Sequence, residues 1–260
     1  MPARSSSLFR LAANSRRRRR LLLLQQQDEP HGMPNAAPER STLSPAEIIT
    51  DSVLNRSLHG VALVRDMLED AAPRTWLFTG DTLGFDARKS KRGWVEFFSD
   101  KIKVDLQRRL DVVLDTSVCD SLVSTLRRNV DWRILRFQPD VVFLMPGPRE
   151  SIAGEAGMKR FEVDLRKLLE RLEEEGTVVG LCTPPSIPGT DDQYRDLASY
   201  VRLIVEIASE TDAILIDHWQ NWNQLESPAS LLDHKQQQPN FTGHQKLARH
   251  LLATIGIGDL

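Results

Sequence analysis

The segment Thr75 to Thr82, TWLFTGDT, closes a short apolar run with Gly80-Asp81 and then presents the hydroxyl of Thr82. A turn that holds a hydroxyl at the carboxyl end of a buried strand is a common way to present an attacking oxygen. Threonine adds a β-methyl that stiffens χ1 and crowds the oxygen, so Thr82 would act as a nucleophile only beside a positioned base. Among the six histidines, His234 stands next to Asp233, a pairing that could supply an imidazole and the carboxylate that orients it. His218, in Ile216-Asp217-His218-Trp219, follows an apolar run and could line a crevice, whereas His244 opens the last amphipathic stretch and reads as structural. No Cys/His cluster has metal-ligand spacing and no glycine-rich phosphate loop follows an apolar run, so neither a metal nor another cofactor is expected.

The elements that must position these groups follow from periodicity. Short β-branched runs at Thr75 to Phe78, Asp111 to Leu114, Asp140 to Met145, Thr177 to Leu181 and Ala213 to Ile216 are each bounded by turn residues. Between them, helical spacing predicts helices over Trp94 to Leu110, Ser121 to Phe137, Glu155 to Glu174 and Gln193 to Ser209, with Thr242 to Ile255 closing the chain. A further long amphipathic stretch, about 44–71, starts at Ser44-Pro45. Strand and helix alternation predicts an α/β fold, a three-layer α/β/α sandwich on a five-stranded parallel sheet, with its crevice beyond the carboxyl ends of the strands. The informative residues are then Asp81 and Thr82, Asp115 to Ser121, Pro146 to Glu150, Thr183 to Pro188 and the late loop Asp233 to His244.

At 260 residues, with 40% hydrophobic and 27% charged, the chain suits one soluble domain over residues 41–260 and an amino-terminal arm over 1–40. Of the 34 basic and 36 acidic residues, seven Arg and two acids lie in the first 32, so the remainder carries a net charge of −7. An acidic body argues against wrapping nucleic acid and for a small or neutral partner. The arm runs Arg16 to Arg20 into Leu21 to Leu24. That apolar stretch is well short of the roughly 7 to 15 residues of a signal peptide. It reads as a disordered basic arm or as sequence upstream of a start at Met33, with no integral membrane segment and a cytoplasmic location as the expectation. Cys119 and Cys182 read as two buried small hydrophobes. Trp219 and Trp222 read as core or as an apolar wall, and Arg88 to Arg92 as a solvated loop or a substrate-facing lid.

Taken in order, WLFTGDTLGFD, LDVVLDTSVCDSL, FQPDVVFLMPGPRES and PNFTGHQKLARHLL resemble the SGNH (GDSL-type) hydrolase superfamily over roughly Thr75 to Leu252. The phrase Gln138-Pro139-Asp140, followed by an apolar run and Gly147, is the most specific of the matches. The resemblance implies a flavodoxin-like fold and an esterase-type reaction. That reaction needs a Ser nucleophile, an oxyanion hole of the Ser amide, a Gly amide and an Asn side chain, and an Asp-x-x-His pair.

Carried over by position, these fall on Thr82, Asp120, Arg149, Lys235 and Gln238. Every functional position differs from the family pattern, while Gly80, Asp81, Gly147, Pro239, Asn240, Gly243 and His244 keep it. Gln238 cannot exchange a proton near neutral pH, and Lys235 cannot orient an imidazole as a carboxylate does. A carboxylate at Asp120 would repel an oxyanion, and an ion pair between Asp120 and Arg149 across the crevice mouth is one reading of the two charges. Two functions are therefore expected. One is a catalytically degenerate module that binds an acylated or glycosidic ligand or a partner. The other is a divergent esterase with Thr82 as nucleophile, His234 as base, Asp233 as orienter and Arg149 as oxyanion donor.

Overall fold

Alternate side chains of a strand point to opposite faces of its sheet, and in the computed structural model both faces are buried. The structure describes residues 51–81, 92–186, 196–233 and 238–258, with side chains from Ser57 onward. These residues belong to one compact unit. The strands are β1 (Thr75–Gly80), β2 (Val112–Asp115), β3 (Val141–Met145), β4 (Val178–Cys182) and β5 (Ile214–Ile216). They form one sheet in the order β2-β1-β3-β4-β5, every neighbouring pair parallel. The order reverses between β1 and β3, which puts the switch point, where open α/β sheets bind ligands, at Gly80-Asp81 and Met145 to Gly147.

Trp76, Phe78, Phe143 and Met145 face one side. There they pack against α1 (Asp51–Glu69), α2 (Trp94–Asp100) and the last helix, α8 (Phe241–Thr254). Phe78 meets Phe98 at 5.1 Å and Phe143 at 4.9 Å between ring centroids, within the range of favourable aromatic pairs. Leu77, Val142, Leu144, Val179 and Leu181 face the other side. They meet α3 (Val123–Arg128), α4 (Val130–Arg133), α5 (Gly154–Glu174) and α6 (Leu197–Glu210). The expected three layers and five parallel strands are present.

The phrase Gln138-Pro139-Asp140 turns out to serve the opposite end of the sheet from the crevice. Gln138 takes a left-handed conformation, φ +49°, and Asp140 accepts the Thr75 N–H at 2.9 Å and the Arg74 guanidinium at 3.3 Å. The Asp140 carbonyl takes the Val178 N–H at 3.0 Å, so one residue joins the starts of β1, β3 and β4. Beside it the buried Asp111 accepts from the Arg74 N–H at 3.0 Å, Trp76 Nε1 at 2.8 Å and Arg108 Nε at 2.9 Å. Arg108 in turn donates to the carbonyls of Leu68, Asp70 and Ala72, which ties the exit of α1 to the sheet.

Several elements depart from the sequence expectation. The helix expected over Trp94 to Leu110 ends after a π-helical turn, Lys101–Asp105. Beyond it Gln107 is left-handed, and Leu106 and Leu110 are exposed, with no apolar face to hold the helix on the sheet. The helix expected over Ser121 to Phe137 is broken at Asn129, whose side chain donates to the Thr125 carbonyl. A residue that bonds its own backbone locally competes with helix continuation. The short helix α7 (His218–Asn223) and the two-residue strands β6 (Leu232–Asp233) and β7 (Gln238–Pro239) were not expected. Cys182 is buried as expected, but Cys119 is exposed, because it lies in the loop after β2.

Candidate functional site

At the switch point three short segments interlock. Gly80 has φ +121°, and a Cβ there would fall under 3.0 Å from the Met145 carbonyl oxygen, so only glycine fits. The chain then turns so that the Asp81 N–H donates to that same oxygen at 3.0 Å. Asp81 is buried at 8% exposure, and its carboxylate lies in the space that a side chain at Gly147 would otherwise fill. Asp120, the position that the resemblance casts as an oxyanion-hole glycine, has φ +57°. That is a glycine-like conformation which Asp tolerates better than most residues. The turn aims the Asp120 N–H inward, where it donates to Asp81 Oδ1 at 3.3 Å, and leaves the side chain exposed.

Further acids gather around this point. Glu150 is half-buried and accepts the Val123 N–H at the start of α3. Burial pushes its carboxyl above the usual range, the Val123 hydrogen bond opposes this, and the nearby charges of Asp164 and Asp81 add to the rise. Asp217 caps α7, accepting from the Gln220 N–H at 3.0 Å and from Thr183 Oγ1 at 2.9 Å, and so joins the ends of β4 and β5. Arg149 is exposed on the 3-10 turn Pro148–Ala153. Among the described residues no ion pair joins it to Asp120: the left-handed turn presents the Asp120 amide to the interior and its carboxylate to solvent.

The late loop is braced by residues on which the resemblance rests. Asn240 caps α8, accepting the Gly243 N–H at 3.0 Å and donating to the carbonyls of Ser230 and Leu232 at 2.8 and 3.3 Å. A side chain at Gly243 would collide with the Leu231 carbonyl. The β6–β7 register sets Asp233 opposite Gln238, which is half-buried. Thr82, His234 and Lys235 lie outside the described residues, as do residues 88–91 of the Arg88 to Arg92 run.

The remaining described imidazoles have other surroundings. His218 is 1% exposed rather than set in a crevice wall. Its Nδ1 stands 3.0 Å from Nδ1 of His250 on α8, and its ring meets Trp94 edge-on at 5.8 Å. Burial drives its pKa well below 6.5, with the neighbouring His250 adding to the effect. His244, at the start of α8, is 2% exposed, and burial lowers it to about 4. Both rings are therefore neutral near pH 7. Trp222 is buried and Trp219 half-buried.

In the sequence reading Thr183 and Glu150 stand at strand ends with no role given to either, and Asp217 has none. For Asp217 a signal was present, since Asp217 with Gln220 has the spacing of a helix-capping pair. Glu150 differs by one position from Arg149, and nothing in the sequence says which of the two turns inward. Among the described residues no group of three or more His, Cys, Asp or Glu could hold a metal ion, and no helix is long and apolar enough to cross a membrane.

No family model and no curated protein matches the sequence. Solved structures do resemble it. Axe2, an acetylxylan esterase from Geobacillus stearothermophilus, is 22% identical with a TM-score of 0.59, over 71% of this chain and 94% of that chain. LAE5, an alpha/beta hydrolase enzyme from the metagenome of Lake Arreo, Spain, is 20% identical with a TM-score of 0.60, over 73% of this chain and 98% of that one. The chain shares the fold of these hydrolases, and at such identity the likeness speaks for the fold alone.

Proposed function

We propose that this chain keeps the scaffold of an SGNH-type hydrolase without its serine-hydrolase reaction, and that the crevice at the switch point serves to bind a ligand, acylated or glycosidic, or a partner. The observation that carries the reading is the Asp120 amide. An oxyanion hole needs donors aimed at the position where negative charge develops. Here the amide at the glycine position donates to the Asp81 carboxylate. The base position adds support. Gln238 has no titratable nitrogen, and the buried His218 bonds His250.

One observation favours the rival esterase reading: the β6–β7 register sets Asp233 opposite Gln238, and Asp233 is the residue that His234 follows in the sequence. Hydrolysis of p-nitrophenyl acetate and butyrate by the full chain, alongside Thr82→Ala and His234→Ala, separates the two. The proposal expects equal background rates in all three proteins. Turnover in the parent chain that both substitutions abolish would establish the esterase instead.

A further inference from the structure

Between them, α3 and α5 form an open groove of about 440 Å³. Its walls include Ser124, Arg127 and Arg128 from α3, and Lys159, Arg160 and Asp164 from α5. On each helix these positions recur three and four residues apart, so each set forms one stripe and the two stripes face each other. Four cations and one carboxylate line the groove, on a chain whose residues 33–260 carry a net charge of −7. The carboxyl end of α3 favours Arg127 and Arg128, and on the opposite wall Lys159 and Arg160 stand one turn from the acids Glu162 and Asp164 of their own helix.

The single acid is already committed. Asp164, 6% exposed, accepts Arg127 Nε at 2.7 Å and lies 3.7 Å from Arg160 Nε. Engaging both guanidinium groups through Nε leaves their terminal amino groups with no acceptor among the described residues. Arg128 reaches only Thr125 Oγ1, at 3.4 Å, and Lys159 pairs with Glu162 at 3.1 Å. The buried carboxylate thus fixes Arg127 by a hydrogen bond, Arg160 stands near it by charge alone and stays largely exposed, and the groove keeps forked donors of the kind that match phosphate oxygens.

We infer that the α3–α5 groove is a binding site for a small molecule bearing a diphosphate group. A diphosphate offers two adjacent phosphoryl groups rich in acceptor oxygens, a match for guanidinium donors set on both walls. The volume lies within the range of about 300 to 1,000 Å³ typical of small-ligand pockets. The lining shares no residue with the switch-point segments, although Asp164 and Arg160 lie close enough to Glu150 for their charges to act on it, and the assignment does not depend on the reading given for the crevice.

Calorimetric titration of the full chain with inorganic pyrophosphate and, separately, with uridine diphosphate tests the assignment, and the tighter of the two identifies a free or an esterified ligand. Saturable one-to-one binding of either is expected, weakened about tenfold or more by Arg128→Glu and by Arg160→Gln, the loss of a charge-assisted contact. Arg202→Glu, an equal charge change at an exposed position on α6, should leave the affinity within about twofold, as expected for a site without contact to the ligand. Urea midpoints of the variants at the parent value confirm that they are folded. Absence of saturable binding at millimolar ligand, or equal weakening by Arg202→Glu and Arg128→Glu, would overturn the assignment.

Discussion

Gly147→Ala puts the interlock at the switch point under direct test. Gly147 has φ −89° and ψ 172°, an extended backbone that any residue adopts. The substitution is therefore free of conformational strain, and its cost must come from packing. An added Cβ would fall under 3.0 Å from Oδ2, Cβ and Cγ of Asp81, and Asp81 is held by the β1–β3 connection on one side and by the Asp120 amide on the other. Overpacking of this kind costs about 1 to 3 kcal/mol. Expelling the carboxylate also breaks its bond to the Asp120 N–H, a contact whose 3.3 Å length puts it near the lower end of the range of about 1.5 to 3 kcal/mol for charged partners. The expected loss is about 3 kcal/mol, or about 1 M in urea midpoint at an m-value of about 3 kcal/mol/M.

The mechanism is checked by a double-mutant cycle read from urea unfolding. In an Asp81→Gly background the three nearest atoms in the way are gone, and Gly147→Ala should lose most of its cost, helped by the restriction that alanine puts on the unfolded chain. In an Asp81→Ala background the offending Cβ remains, and most of the penalty should persist. A wild-type midpoint for Gly147→Ala, or equal rescue by Asp81→Ala and Asp81→Gly, would refute the packing argument.

Three further outcomes are expected. Asp111→Ala leaves Trp76 Nε1 and the Arg108 guanidinium without their buried acceptor. It should cost about 3 to 5 kcal/mol by denaturant unfolding. Asp120→Gly should be tolerated, whereas Asp120→Val, a β-branched residue at φ +57°, should cost about 1 to 2 kcal/mol. Burial lowers His218 below 6.5 and His244 to about 4. The unfolded chain then binds protons that the folded chain refuses, so stability is full above pH 6.5 and falls as the pH drops toward 4. His244 supplies about 3 kcal/mol of that loss below its folded pKa, while Glu150, raised by burial, works in the opposite direction. Urea midpoints from pH 7.5 to 4 should decline, and His244→Gln should flatten the decline.

The strands were legible because each is a short apolar run between turn residues, and the three layers followed from their alternation with helices. What escaped was decided by tertiary contacts or by single residues. Asn129 breaks a helix by bonding its own backbone, and Asp217 starts one directly after β5 without a loop to announce it. At the site, residue types at Asp81, Asp120 and Gly147 could be read, but not their mutual geometry. Only the folded chain shows the Asp120 amide on Asp81 Oδ1 and the Asp81 carboxylate over Gly147. The ion pair expected between Asp120 and Arg149 failed for the same reason, since a left-handed turn reverses which group points inward. The cationic groove was hidden by chain separation, with Arg127 and Arg128 some thirty residues from Lys159 and Arg160.

The claim that the scaffold has lost its serine-hydrolase reaction is tested most directly by covalent titration. The full chain and Thr82→Ser are incubated with a fluorophosphonate, which bonds only a hydroxyl activated by a base, and their intact masses are measured. The account predicts no phosphonyl adduct on either protein, because restoring serine supplies neither a base at Gln238 nor open oxyanion donors. A stoichiometric adduct mapped to position 82 in the parent chain would contradict it.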